Sequence, residues 1–390
     1  MAVEYKIPGV YREEERHLSV EKSTGVPLFL GLGLTVNPTL PPIKLTLWTQ
    51  FQVQVATPYG LKHKSYLSYA VRGFFENGGR VCYVQGLPHL ASLQKVLEDL
   101  ETLAEVDLVC IPDLYAIASS QDAIQAQTLV LQYCERMGDR FAILDAPNSD
   151  VQKLKELWST PLMNANANGA IYAPWIYVRD GPVFGNGPGN QTESQPIPPC
   201  GHIAGIYARV DREGGVHHAP ANRVLEGVTK LSSTLSDADQ AELNRNPEEF
   251  GFGINCLRVL PGRGIRIWGA STMSRDPIWR SIPVRRLFLR VARWIEQNMA
   301  DISFEPNDFS LWIRVERELT FYFESLYKQG ALQGQTVEEA FYVKCDATTN
   351  PPDSRETGQV MAEIGLAPTL PHEFIVIRLI HGETGVMLES

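Results

Sequence analysis

Two acidic residues stand where an α/β enzyme would place its chemistry. Asp113 and Asp145 each close an apolar run, Ile111-Pro112-Asp113 and Ile143-Leu144-Asp145-Ala146-Pro147. Open α/β sheets bind ligands at the carboxyl ends of their strands, so a carboxylate pair holding Mg²⁺ would be well sited there. The competing expectation is that both carboxylates cap turns and the helices that follow. It is favoured, because neither aspartate lies in a DxD or a P-loop and no lysine stands beside either one. Gly31-Leu32-Gly33 opens like a dinucleotide fingerprint, but Val36 stands where the third glycine belongs and Pro38 follows. His217 and His218 are adjacent, and neighbours in an extended segment point to opposite sides, so a turn is expected there rather than a metal site. Neither a GxSxG elbow nor an HExxH pair is present. The sequence therefore points to no catalytic residue, cofactor or metal.

A cationic stripe is the other group with chemistry to offer. The stretch Arg285–Met299 reads as a helix with Leu287, Phe288, Val291, Ile295 and Met299 on its apolar side. Arg286, Arg290 and Arg293 gather on another face, with Arg285 nearby. Guanidinium pairs carboxylate bidentately, so such a stripe on an acidic protein suits an acidic neighbour; a solvated face is the alternative.

The chain that positions these residues has 390 amino acids, 44% hydrophobic and 21% charged, which implies two or three folded domains rather than disorder. Its net charge of −10 repels phosphate backbones and anionic lipid, so neither a nucleic-acid partner nor a membrane surface is expected. The six cysteines are scattered without a CxxC pair, and several lie in apolar runs. Buried, reduced thiols and cytoplasmic synthesis and assembly follow as expectations. No apolar stretch is long enough to span a bilayer.

Periodicity divides the chain into an arm, two larger units and a terminal strand. Residues 1–20 form a short N-terminal arm whose strand-like Tyr5-Lys6-Ile7-Pro8-Gly9-Val10-Tyr11 is broken by Pro8-Gly9, which suits an edge strand. Over residues 21–178, apolar runs at Pro27–Leu32, Arg80–Gln85, Val106–Ile111, Phe141–Leu144 and Ala170–Ala173 alternate with helical stretches. That pattern predicts a Rossmann-like layered α/β domain, with Ser149 as one helix cap. Residues 179–200 are a Gly/Pro-rich linker. A second, α+β domain is expected over 201–362. Its best helix, Phe309–Lys328, carries Leu311, Trp312, Val315, Leu319, Tyr322, Phe323 and Leu326 on one stripe and is stopped by Gly330. Residues 363–390 end in the apolar strand Glu373–Ile380, which needs a sheet to join.

Several phrases remain that hold only turn, packing and ion-pair residues. They include Ile7-Pro8-Gly9-Val10-Tyr11, Gly201-His202-Ile203-Ala204-Gly205-Ile206-Tyr207-Ala208-Arg209, Ala219-Pro220-Ala221-Asn222 and Gly262-Arg263-Gly264-Ile265-Arg266-Ile267-Trp268-Gly269-Ala270. Phe304-Glu305-Pro306-Asn307, Lys344-Cys345-Asp346 and Pro371-His372-Glu373-Phe374 complete the set. In this order they resemble the tail sheath proteins of contractile injection systems and phage tails. The resemblance covers the N-terminal segment and nearly everything after the linker; the middle domain matches less specifically, and Cys200 departs from the usual small residue.

The resemblance implies a structural subunit, not an enzyme, in a helical sheath of stacked hexameric rings around an inner tube. The middle α/β domain would be an outward insertion on a core formed by the two ends of the chain. The arms, through Tyr5, Ile7, Val10, Tyr11, Phe374, Val376 and Arg378, would be strands donated to neighbouring subunits. Arg285, Arg286, Arg290 and Arg293 would form intersubunit ion pairs. Glu318, Phe321 and Glu324 would face the inner tube protein. Baseplate and tail-terminator proteins, and a paralogous sheath subunit, are the further partners it suggests. The competing function is a cytosolic α/β enzyme using Asp113 and Asp145.

Overall fold

Short apolar runs bounded by turn residues form strands where both faces can be covered, and β1 (Pro27–Leu32) is buried along its whole length. The computed structural model describes residues 23–32, 41–56, 65–160, 162, 168–179, 195–243, 252–300, 302, 305–352, 359–369, 375–382 and 385–389. In it β1 lies within an eight-stranded sheet with β2 (Ile43–Leu45), β3 (Cys82–Leu87), β4 (Leu108–Cys110), β5 (Phe141–Asp145) and β6 (Gly169–Ala173). The remaining two strands are β9 (Ile254–Leu260) and β10 (Gly264–Trp268); β7 (Ile176–Val178) and β8 (Val228–Leu231) pair separately. The order is β10-β9-β6-β5-β4-β1-β3-β2, parallel except for the two outermost strands.

Helices of seven residues or more cover the sheet or follow it: α1 (Leu67–Glu76), α2 (Leu93–Asp99), α3 (Ser120–Met137), α4 (Cys200–Gly214), α5 (Asp237–Leu243), α6 (Ile282–Asn298) and α7 (Phe309–Lys328). The side chains of β1 alternate between two apolar layers. Leu28, Leu30 and Leu32 face the layer of α2 and α3, and Phe29 faces that of α1 and α4. Helices α1 and α4 come unusually close because of two glycines. A Cβ on Gly201 would lie 2.2 Å from the Ala70 carbonyl, and one on Gly205 would lie 2.5 Å from that of Phe74. The cap expected at Ser149 is supplied instead by Asp150, whose carboxylate accepts the Lys153 N–H at 3.0 Å.

A second module begins with α6. Helix α7 spans the expected residues, and its buried set is the seven-residue stripe read from the sequence. Asp308 caps its start, accepting from Ser310 and Leu311, and Gly330 at φ 75° follows its end. It packs on a four-stranded antiparallel sheet of β11 (Phe341–Lys344), β12 (Val360–Leu366), β13 (Ile375–Gly382) and β14 (Gly385–Glu389), in that order.

Two expectations about the divisions of the chain change. A domain boundary at 179–200 does not survive, because β9 and α4, from beyond the linker, belong to the first sheet and its core. Without β9, paired from Ile171↔Ile254 to Ala173↔Cys256, the apolar β6 would be left as an edge. The modules instead meet just before α6. The C-terminal strand is also not left for a neighbour. β13 pairs with β12 from Val360↔His381 to Leu366↔Ile375 and with β14 on its other side, so Val376 and Arg378 sit in their own subunit's sheet. Pairing at home buries Ile375 and Leu379 against the module core. Tyr5, Ile7, Val10, Tyr11 and Phe374 lie outside the described residues, as do Gly33 and Val36.

Candidate functional site

Burying a guanidinium requires hydrogen-bond acceptors within reach, and α6 supplies three arginines that must find them. Arg286 has 4% of its side chain exposed. It donates from Nη1 and Nη2 to the two carboxylate oxygens of Asp211 on α4, both at 2.6 Å, and from Nη2 to Asp107 Oδ2 at 3.2 Å. Its guanidinium also stacks 4.8 Å from the centre of the Tyr207 ring. Burial alone would lower the Arg286 pKa, but the Asp211 and Asp107 carboxylates more than offset it and hold the group above its ordinary value. Asp107, just before β4, is pushed up by burial against the pull of Arg286. Its carboxylate also accepts the N–H groups of Gly25 at 2.9 Å and Val26 at 2.6 Å.

Two more arginines complete the joint. Arg293 Nε donates to Asp139 Oδ2 at 3.0 Å, and its Nη2 donates to the carbonyls of Ala104 (2.9 Å) and Val106. Arg285 Nε donates to Asn168 Oδ1 at 2.6 Å while the guanidinium lies over Trp279. Arg290 is half-buried and lines the small cavity beside Asp107 and Asp139. The expected intersubunit role is therefore corrected for Arg285, Arg286 and Arg293: they bond within their own subunit, across the line between its modules. Spacing showed that the stripe existed but not what it faced. A signal for the partners was present, since Asp107 opens an apolar strand and Asp211 follows Tyr207 by one helical turn on α4.

Asp113 follows β4, at the crevice where strand order reverses between β1 and β4, and Asp145 ends the next strand, β5, but their carboxylates are engaged. Helix α4 starts after Pro199 without a side-chain cap of its own, and Asp145 Oδ1 accepts the Cys200 N–H at 2.8 Å. Asp113 Oδ1 accepts the Tyr66 N–H at the start of α1, and its Oδ2 accepts the Ser65 hydroxyl at 3.2 Å. Burial pushes Asp113 up to about 6 and Asp145 up to about 7, against the hydrogen bonds they receive. Both are helix caps, as the competing expectation had it, but for helices distant in the chain rather than the next ones. Tyr66 and Tyr115 pack edge-on against Trp175 beside them and fill the crevice with rings. Among the described residues no group of three His, Cys, Asp or Glu could hold a metal, and all six cysteines are free and buried.

The outer side of α7 is different. Glu318 pairs with Arg314 at 2.8 Å and Glu324 with Lys328 at 3.3 Å, both one turn apart, so neither is an isolated charge. Between them Phe321 is 42% exposed, and along the same helix Phe309 and Ile313 are 69% and 49% exposed. Apolar groups this exposed on one helix, ringed by charge, have the composition of a contact surface.

Comparisons with known proteins agree with this architecture. The family description "phage tail sheath protein central domain" matches residues 90–273, and "phage tail sheath C-terminal domain" matches 274–380, so the two meet where the modules do. The tail sheath protein of Salmonella phage ViI is 26% identical over 267 residues, 61% of this chain and 38% of that protein. This chain thus matches well under half the length of that relative. A chain of the anti-feeding prophage baseplate is 30% identical, with a TM-score of 0.70 over 95% of this chain and 98% of that one. The contracted PVC sheath complex of an extracellular contractile injection system gives 29% identity and a TM-score of 0.72, over 96% and 97%.

Proposed function

This chain belongs to the phage tail sheath family, and from that premise we propose that it is the repeating subunit of a contractile sheath. Copies would stack as six-membered rings around an inner tube, join a baseplate at one end, and shorten together to drive the tube through a target envelope. The observation that carries this reading is the likeness, along nearly the whole chain, to a subunit of a sheath in its contracted state. The work is mechanical: a gain of roughly 1–3 kcal/mol at each repeated contact suffices when the contacts switch together.

Two parts of the chain take roles in this proposal. The N-terminal arm, with Tyr5, Ile7, Val10 and Tyr11, would extend the four-stranded sheet of a neighbouring copy, because strand addition gives main-chain bonds for affinity and side-chain pockets for register. Helix α7, through Phe321, Glu318 and Glu324, would face the inner tube protein. A tail-terminator protein, and a paralogous sheath subunit where one exists, would contact the same lattice. Asp113 and Asp145 give no support to catalysis, since helix amides already occupy them.

Negative-stain microscopy of the purified chain tests the assignment. Long hollow cylinders are expected, and a chain lacking residues 1–20 should stay folded by circular dichroism yet form none. Discrete monomers or dimers from the intact chain at high concentration would refute the sheath reading. Cylinders from the shortened chain would refute strand addition by the arm alone.

A further inference from the structure

One carboxylate joins the start of the fold to its C-terminal module. Asp107 receives the Gly25 and Val26 N–H groups, the point at which the segment from the N-terminus reaches β1. The same carboxylate receives Arg286 Nη2 from α6, and Arg286 is clamped in turn by both oxygens of Asp211. Helix α6 lies alongside β14, the last strand of the chain. We propose that Asp107 is a force-transfer node: tension on the N-terminal segment passes at the edge of β4 through Asp107 and Arg286 into α6 and the C-terminal sheet.

The geometry suits this role better than a general stabilising one. A buried ion pair adds little net stability compared with a well-packed apolar contact, but it resists separation strongly, since pulling it apart leaves uncompensated charges in a dry site. The bidentate Arg286–Asp211 arrangement also fixes direction, which a hydrophobic contact does not. Asp107 is anchored on its own strand as well, its N–H donating to the Val26 carbonyl at 3.2 Å and its carbonyl accepting from Phe141 at 2.8 Å. Tension at residues 25–26 thus meets side-chain and main-chain bonds at a single residue. The biological source of tension rests on the sheath reading above; the mechanical test does not.

Single-molecule pulling on the full chain separates the possibilities. One pair of handles is fused to the two termini, so that tension crosses the joint. In a second geometry one handle is at the N-terminus and the other is inserted in the exposed turn at Pro261–Gly262, within the first module. Arg286→Met is expected to shorten the lifetime under constant force roughly tenfold or more between the termini, and to leave it unchanged in the second geometry. Asp107→Asn should shorten it in both, because the amide keeps one acceptor oxygen where Gly25 and Val26 each used one, and it sets a donor NH2 against the other N–H. Arg286→Lys keeps the charge and should show the first pattern at smaller amplitude, which serves if Arg286→Met does not fold. Equal shortening by the Arg286 variant in both geometries, or none in either, would overturn the node. Failure of the chain to form cylinders would overturn the sheath assignment and leave the pulling result standing.

Discussion

Asp145 shows how a residue that looks catalytic can be occupied by the fold itself. Its pKa is raised to about 7 by burial, well above the ordinary 3.8, so between those values the folded chain binds a proton that the unfolded chain does not. The sign follows: the Asp145 contribution is most favourable below the unfolded pKa and is lost as pH rises through about 7. An Asp145→Asn variant can still accept the Cys200 N–H but has no charge to bury. Its stability relative to the parent should therefore improve from pH 4 to pH 8, by on the order of 4 kcal/mol. Denaturant titrations of both chains across that range check it, and a difference that does not vary with pH would remove the account. The variant should also assemble as the parent does.

Strands and helices were the most legible elements. The apolar runs Pro27–Leu32 and Phe141–Leu144 are strands, and the stripe on Phe309–Lys328 is the buried face of α7, because two- and 3.6-residue periodicities are written locally. Pairing partners are not written locally. Glu373–Ile380 reads as a strand in search of a neighbour, but Ile375–Gly382 is the third strand of its own subunit's sheet. Deleting residues 373–390 would remove β13 and β14 and expose Ile364 and Leu366 on β12, which are now buried. That truncation is expected to unfold the C-terminal module, seen as dye binding to exposed apolar surface and loss of solubility. A truncated chain that stays soluble, with its helical signal intact, would show that β13 is dispensable and return it to the role of an arm.

At the scale of the molecule, contacts of three arginines, two of them buried, tie the C-terminal module to the sheet module, and this should make them unfold together. Heating the intact chain is expected to give one calorimetric transition. Replacing Arg286 and Arg293 together by methionine should split it in two, because the modules have separate apolar cores. A single transition in the double variant would mean that packing alone couples them. From the sequence alone came the class of each unit, the apolar stripes, the absence of a recognisable catalytic pattern and the sheath likeness, since all of these depend on residue types at short, fixed spacings. Only the tertiary structure decided that the first sheet draws strands from both sides of the linker, that Asp113 and Asp145 cap distant helices, and that the arginine stripe closes inward. Each of those depends on which distant groups meet when apolar surface is buried, and a charge on a helix face carries no mark of the partner that the rest of the chain will fold against it.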